Sequence, residues 1–193
     1  MQRTPSLRTF LPPWALILAA LAGPGLPAAA PRPAAAEEYE VLRAYLTSPY
    51  VEKVDFSLYE KIGIFFIYNV DPKKPESISG FFQQYANTSL SPELVRAFVA
   101  ANRTPRAVDR KLFPANYRYS SQYIKQDAYS LSRVGFNARR DEALMYASFS
   151  SLLEDGHGAL VYLRKAGGAW SVVKSSAVWM YGASVHPFQK IGP

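Results

Sequence analysis

The chain has 193 residues, 15 of them proline and none cysteine, with a formal charge of +7. Without cysteine there are no disulfide staples, no thiol catalysis, no thiolate metal centre and no lipidated cysteine, so the core alone must hold the fold. The balance of charge is mildly basic and falls short of a nucleic-acid-binding signature, so no specific binding of nucleic acid is expected.

Arg3 and Arg8 are the only charges before Arg32, and between them and Gly23 runs the short apolar stretch Trp14-Ala-Leu-Ile-Leu-Ala-Ala-Leu-Ala22. Pro24, Gly25 and Pro27 break any helix there, and Ala34-Ala35-Ala36 puts small residues at the −3 and −1 positions of a cleavage site. This is the layout of a secretory signal peptide. The apolar stretch is shorter than the roughly 20 residues that span a bilayer. The expected organisation is a signal peptide over residues 1–36 and one exported domain over residues 37–193, periplasmic or secreted, with no transmembrane span after cleavage. Three of the 22 basic residues and none of the 15 acidic ones precede position 37, which leaves the mature chain at +4.

Tyr39, Leu42, Tyr45 and Leu46 form one apolar stripe and predict a helix over residues 37–47, stopped by Pro49. The β-branched and aromatic run Ile62–Tyr68 reads as a buried strand, and Asp71-Pro72 opens a polar connection. Ser91-Pro92-Glu93 starts the clearest helix, with Ser91 as cap and Pro92 at the first helical position. Leu94, Ala97, Phe98 and Ala101 form its buried face, and Asn102 ends it. Residues 103–129 are irregular in pattern, with a short strand near Tyr117–Ser120 and a helical turn near Gln122–Gln126.

From Ser130 onward four strands follow: Ser130–Asn137, Glu142–Ser150, Gly158–Lys165 and Trp170–Tyr181. The gaps carry turn residues, and Gly167-Gly168 is a hairpin signal. Short turns between consecutive strands make an antiparallel meander. Helix and strand followed by helix and a run of strands predicts an α+β fold, with helices packed on one face of the sheet. Val134, Phe136, Met145, Phe149, Val161, Leu163, Val172 and Trp179 are the expected core.

The segments Ser132-Arg-Val-Gly-Phe-Asn137, Ala143-Leu-Met-Tyr146, Gly156-His-Gly158, Leu160-Val-Tyr-Leu163 and Gly168-Ala-Trp170-Ser-Val172, through to Trp179, resemble a group of bacterial exported domains. Those domains carry an "SRVGFN…ALVY…GxGxYVLL…GxWxV…W" meander behind a helical first half. The resemblance extends to Leu94–Asn102, which sits where they carry a similar "LxxxFLxxN" helix. It implies the α+β sheet and brings no activity, cofactor or site residue with it.

For chemistry, His157 lies beside Glu154 and Asp155, and imidazole near carboxylates can move a proton near neutral pH. The competing reading is a polar turn in which Gly156 and Gly158 supply positive φ. Arg133 in mid-strand is either a solvent-facing residue or an anion clamp. Together with nearby tyrosines, His157 and Arg133 are the residues a small pocket enzyme of the cone-shaped hydrolase or isomerase kind would use. Asp141 and Glu142 are adjacent on a strand, which sends them to opposite faces. His157 and His186 have no metal-ligand spacing, so no metal and no cofactor are expected. Arg106, Arg110, Lys111 and Tyr117 belong to a basic, tyrosine-rich segment that could meet an anionic envelope component. The reading that fits all of this is a non-enzymatic exported accessory or binding module of the bacterial cell envelope, with the pocket enzyme as the alternative.

Overall fold

The computed structural model describes residues 34–51, 56–63, 70–113, 116–121, 127–151 and 156–181. The residues before 34, where the sequence predicts most of a signal peptide, the run 64–69, the helical turn expected at 122–126, the acidic pair Glu154-Asp155 and His186 lie outside the described residues.

Three helices, α1 (Ala34–Leu46), α2 (Pro75–Ala86) and α3 (Pro92–Ala101), accompany nine strands: β1 (Ser57–Tyr59), β2 (Lys61–Ile62), β3 (Arg106–Ala107), β4 (Arg118–Ser120), β5 (Ala128–Leu131), β6 (Gly135–Phe136), β7 (Glu142–Ser150), β8 (Gly156–Ala166) and β9 (Ala169–Tyr181). A 3-10 turn covers Arg110–Leu112. The main sheet runs β4-β1-β5-β7-β8-β9, with β6 also paired to β7, and β2 and β3 form a separate two-stranded ladder. The meander β5-β7-β8-β9 is antiparallel, whereas β1 pairs parallel with both β4 and β5. The fold is α+β, with helices packed on a largely antiparallel sheet.

The predicted first strand of the meander is split. Ser132 breaks the ladder because its hydroxyl accepts from the Tyr146 amide at 2.7 Å, while its own amide donates to the Tyr146 carbonyl at 2.8 Å. The chain then rejoins β7 at Gly135.

Helix α3 begins as its sequence requires. The Ser91 hydroxyl accepts from the Leu94 amide, and Pro92 takes the first position, where no donor is needed. Helix α2 ends in the left-handed region at Asn87. Its exposed Gly80 is unusual, since a β-carbon there would meet nothing within 4 Å. A mid-helix glycine is about 1 kcal/mol less favourable than alanine, and no neighbour demands this one.

The inner strands β7 and β8 are apolar on both faces over most of their length, so both faces must be covered. Alternation sends Ala143, Met145, Ala147 and Phe149 of β7 to one side, where they meet Tyr39, Leu42, Tyr45 and Leu46 of α1. Leu144 and Tyr146 point the other way, into Ile78, Phe82, Leu94 and Phe98 of α2 and α3. Two helices therefore share one face, and α1 occupies the opposite face. Of the expected core, Val134, Met145, Phe149, Val161 and Leu163 are buried, and Phe136 and Val172 pack against them at the margin. Trp179 is only partly buried, at the rim of the second cluster.

Gly156 and Gly158 do not serve a turn. Both lie on β8, and among the described residues only Gly167 and Gly168 are glycines with positive φ, at 57° and 84°, in the β8–β9 hairpin. Their role is space. A β-carbon at Gly158 would stand 2.2 Å from the Trp179 indole nitrogen, and one at Gly156 would stand 2.7 Å from the Tyr181 ring. The two rings stack at 5.4 Å and lie across the neighbouring strand. Their polar tips are tied, Trp179 Nε1 donating to Tyr146 Oη at 2.7 Å and the Tyr181 hydroxyl sitting 3.2 Å from that of Ser150.

No helix among the described residues is long and apolar enough to cross a membrane.

Candidate functional site

Arg106 and Arg133 were separate candidates in the sequence. The structure brings them to one buried carboxylate, Glu38, the fifth residue of α1. The apolar stripe of α1 fixes the helix rotation and carries Glu38 inward with it. Arg106 Nη2 donates to Glu38 Oε2 at 2.6 Å, while Arg133 Nε and the Val134 amide donate to Oε1 at 3.3 and 3.1 Å. Arg133 is thus neither in mid-strand nor turned to solvent. It lies in the Ser132–Val134 link, with its side chain about 30% exposed, and it clamps an anion that belongs to the protein itself. Asn102 holds that link in place. Its amide nitrogen donates to the Arg133 and Phe98 carbonyls, and its oxygen accepts from the Arg133 amide.

Glu37, one residue earlier, makes a second junction with Lys165 of β8 at 2.8 Å and with Arg140. Arg140 sits at φ 55°, where a non-glycine residue is uncommon, and lays its guanidinium 4.3 Å from the Phe136 ring centroid. Burial alone would push the Glu37 carboxyl up. The hydrogen bonds from Lys165 and Arg140 outweigh it and hold the group below its ordinary 4.5. A carboxylate with a depressed folded pKa contributes stability above its unfolded pKa and loses it as pH falls through the folded value. Glu37→Gln should therefore flatten the fall of thermal midpoint between about pH 5 and pH 3 relative to the wild type. Parallel pH profiles for the two proteins would contradict this junction.

His157 is a strand residue, paired across from Phe149. Its ring lies 5.8 Å from that of Phe149 and 6.2 Å from that of Tyr129, in an aromatic row on the α1 face. Arg133 meets Glu38, and His157 meets these rings, so the two residues occupy different environments. Asp141 and Glu142 also part. Asp141 accepts from Asn137 and faces Arg139, whereas Glu142 accepts from the Tyr162 hydroxyl at 2.6 Å with Arg164 beside it. Burial and that bond to Glu142 push the Tyr162 phenol up to about 12. Among the described residues, no group of three or more His, Cys, Asp or Glu side chains could hold a metal ion.

The other basic candidates lie farther along. Arg110 and Lys111 are exposed on the 3-10 turn, which Asp109 caps through its side chain. Arg110 stands 4.7 Å from the Tyr119 ring centroid and 3.8 Å from Glu60, with 62% of its side chain exposed. Tyr117 is half-buried between Phe56 and Phe113, and burial raises its phenol. The segment therefore divides. Arg106 is an internal strut and Tyr117 is a packing residue, while Arg110 and Lys111 point outward with Arg103 and Arg118 nearby in sequence.

Sequence reasoning did not single out Glu37, Glu38 or Asn102 for these roles. Two adjacent acids at the start of an amphipathic helix were a signal, because neither is needed on the solvent face. Their cationic partners lie 68 to 128 residues away in the chain and could not be paired with them from spacing.

Comparison with protein families, curated proteins and solved structures finds no match to this chain. The likeness to exported bacterial domains stands on its quoted motif residues alone.

Proposed function

We propose that this chain is a non-catalytic binding module of the bacterial cell envelope, exported by its amino-terminal leader, which meets an anionic partner through the outward cations of the 3-10 turn. One observation supports this reading above the others. The acids and arginines best suited to chemistry neutralise one another in the buried Glu37 and Glu38 junctions, whereas Arg110 and Lys111 are exposed on the surface, Arg110 over the Tyr119 ring and 3.8 Å from the part-exposed Glu60. A rigid sheet carrying exposed cations on an irregular connection is a common arrangement for binding surfaces. The field of such cations favours phosphate or carboxylate groups and is screened beyond about 8 Å at physiological salt.

Vesicle flotation tests the proposal. The processed chain should float with vesicles rich in anionic lipid at low salt and lose recovery as salt is raised. R110S/K111S should reduce recovery several-fold. Arg106 is left intact, because its removal would open the Glu38 junction and confuse folding with binding. Equal recovery on anionic and neutral vesicles, or an unchanged double variant, overturns the reading.

A further inference from the structure

The expected cleavage site lies inside α1. The helix starts at Ala34, so the three alanines of the A-x-A site, Ala34, Ala35 and Ala36, are its first residues. Glu37 and Glu38 follow at the +1 and +2 positions, and they are the acids of the two buried junctions. Glu38 accepts from Arg106 at 2.6 Å, from Arg133 at 3.3 Å and from the Val134 amide at 3.1 Å. Glu37 accepts from Lys165 at 2.8 Å and from Arg140. Tyr39, at +3, is buried as well, and its hydroxyl accepts from the Asp109 amide. The three residues that follow the bond to be cut are all tied to distant parts of the domain.

Removal of the leader is a hydrolysis. The bond between the Ala36 carbonyl carbon and the Glu37 nitrogen breaks. Water gives its hydroxyl to that carbon and a proton to that nitrogen, which becomes the new amino terminus. A peptidase needs this stretch open and extended, and proteolysis concentrates where the chain is exposed and locally unfolded. Extending residues 34–38 lengthens their path from about 7.5 Å as helix to about 17 Å as strand. The short side chains of Glu37 and Glu38 cannot absorb a displacement of that size, so both junctions must open first.

We infer that α1, once docked on the sheet, closes the leader cleavage site, so that removal of the leader and docking of α1 compete for the same five residues. The inference rests on the proposed amino-terminal leader and is independent of the anion surface. A chain that docks α1 first keeps its leader. A chain cut first loses three of the 13 helix residues and keeps Glu37, Glu38 and the apolar stripe, so it can still dock. The junctions set how firmly the site is closed, because a folded chain is cut through the fraction of molecules that are transiently open.

The test is cleavage of the full chain, Met1–Pro193, by a membrane signal peptidase in mild detergent, with amino-terminal sequencing to place Glu37 first in the product. Leu42→Asp puts a charge into the buried stripe of α1 and supplies the rate for an open site. The folded wild type should be cut at least about a hundredfold more slowly, as expected when only a small open fraction is substrate. Glu38→Gln should be cut about tenfold faster than wild type, since the opening equilibrium gains what the junction loses. Arg106→Met should speed cleavage by a similar factor while leaving the recognition sequence untouched. Circular dichroism checks that each is folded, and Lys165→Met, which takes one cation from Glu37, replaces Arg106→Met if it is not. Ile78→Val weakens the core on the opposite face and should leave the rate within about twofold, because the opening is local to α1. If Leu42→Asp is not cut after Ala36, the leader reading fails and takes the inference with it. Wild type cut as fast as Leu42→Asp, folded junction variants cut no faster than wild type, or Ile78→Val speeding cleavage as much as they do would each overturn the inference and leave the leader reading standing.

Discussion

Glu38→Ala should lower folding stability by about 3 kcal/mol, near the lower end of the cost of removing one member of a buried ion pair. The carboxylate is almost fully buried and accepts from three donors. Its removal strands the Val134 amide and leaves two guanidiniums facing each other. Because Arg106 and Arg133 are each about 30% exposed, both can regain some water, which holds the cost below the upper end of the range. Glu38→Gln keeps the shape and an acceptor for Val134 while losing the charge, and should cost about half as much. Urea denaturation read by tryptophan fluorescence measures both. A midpoint for Glu38→Ala within error of wild type would mean that the junction does not hold α1 to the sheet.

Gly135→Ala should be as damaging although it adds a single methyl group. A β-carbon at Gly135 would stand 2.3 Å from the Phe98 nitrogen, 2.4 Å from its α-carbon and 2.6 Å from its β-carbon. Most of what it meets is helix backbone, which has no rotamer to change, so α3 would have to move off β6. Such overpacking costs about 3 kcal/mol at the upper end of its usual range. A contrast comes from Gly80→Ala, where nothing lies within 4 Å and the helix should gain up to about 1 kcal/mol. Thermal unfolding of the two single variants should move in opposite directions. A Gly135→Ala protein as stable as wild type would show that α3 does not press on β6.

The meander was legible because its strands are long and its turns carry the right residues. Glu142–Ser150 coincides with the observed β7, and the Gly167-Gly168 hairpin has the positive φ values its sequence asks for. Helix α3 was legible through Ser91 and Pro92. Helix α2 was not read, though Ile78, Phe81, Phe82 and Tyr85 follow helical spacing. The run Asp71-Pro-Lys-Lys-Pro75 before it and Gly80 within it suggest a polar connection, and packing against β9 decides otherwise. Strand β1 has three residues, too few for a period, and exists through its parallel neighbours. The Gly156-His157-Gly158 segment was read as a turn because glycine usually marks one. Here each glycine seats a ring that arrives from the next strand, a reason visible only once β8 and β9 are paired. The Glu38 junction belongs to the same class, since ion pairs between distant segments leave no periodic trace.

The long reach of the α1 junctions also sets a timetable. A chain is made from its amino end, and α1 emerges among the first elements of this domain. Lys165, which closes the Glu37 junction, follows 128 residues later. At ordinary rates of synthesis that is an interval on the order of ten seconds. For most of it, β7, which covers the apolar stripe of α1, has yet to be made, and Glu37 lacks both of its cations. An isolated helix of 13 residues is marginal in water. The helix that the two ion-pair junctions bolt to the sheet is therefore a segment that waits long for its partners, and it is where a chaperone would find the nascent domain exposed.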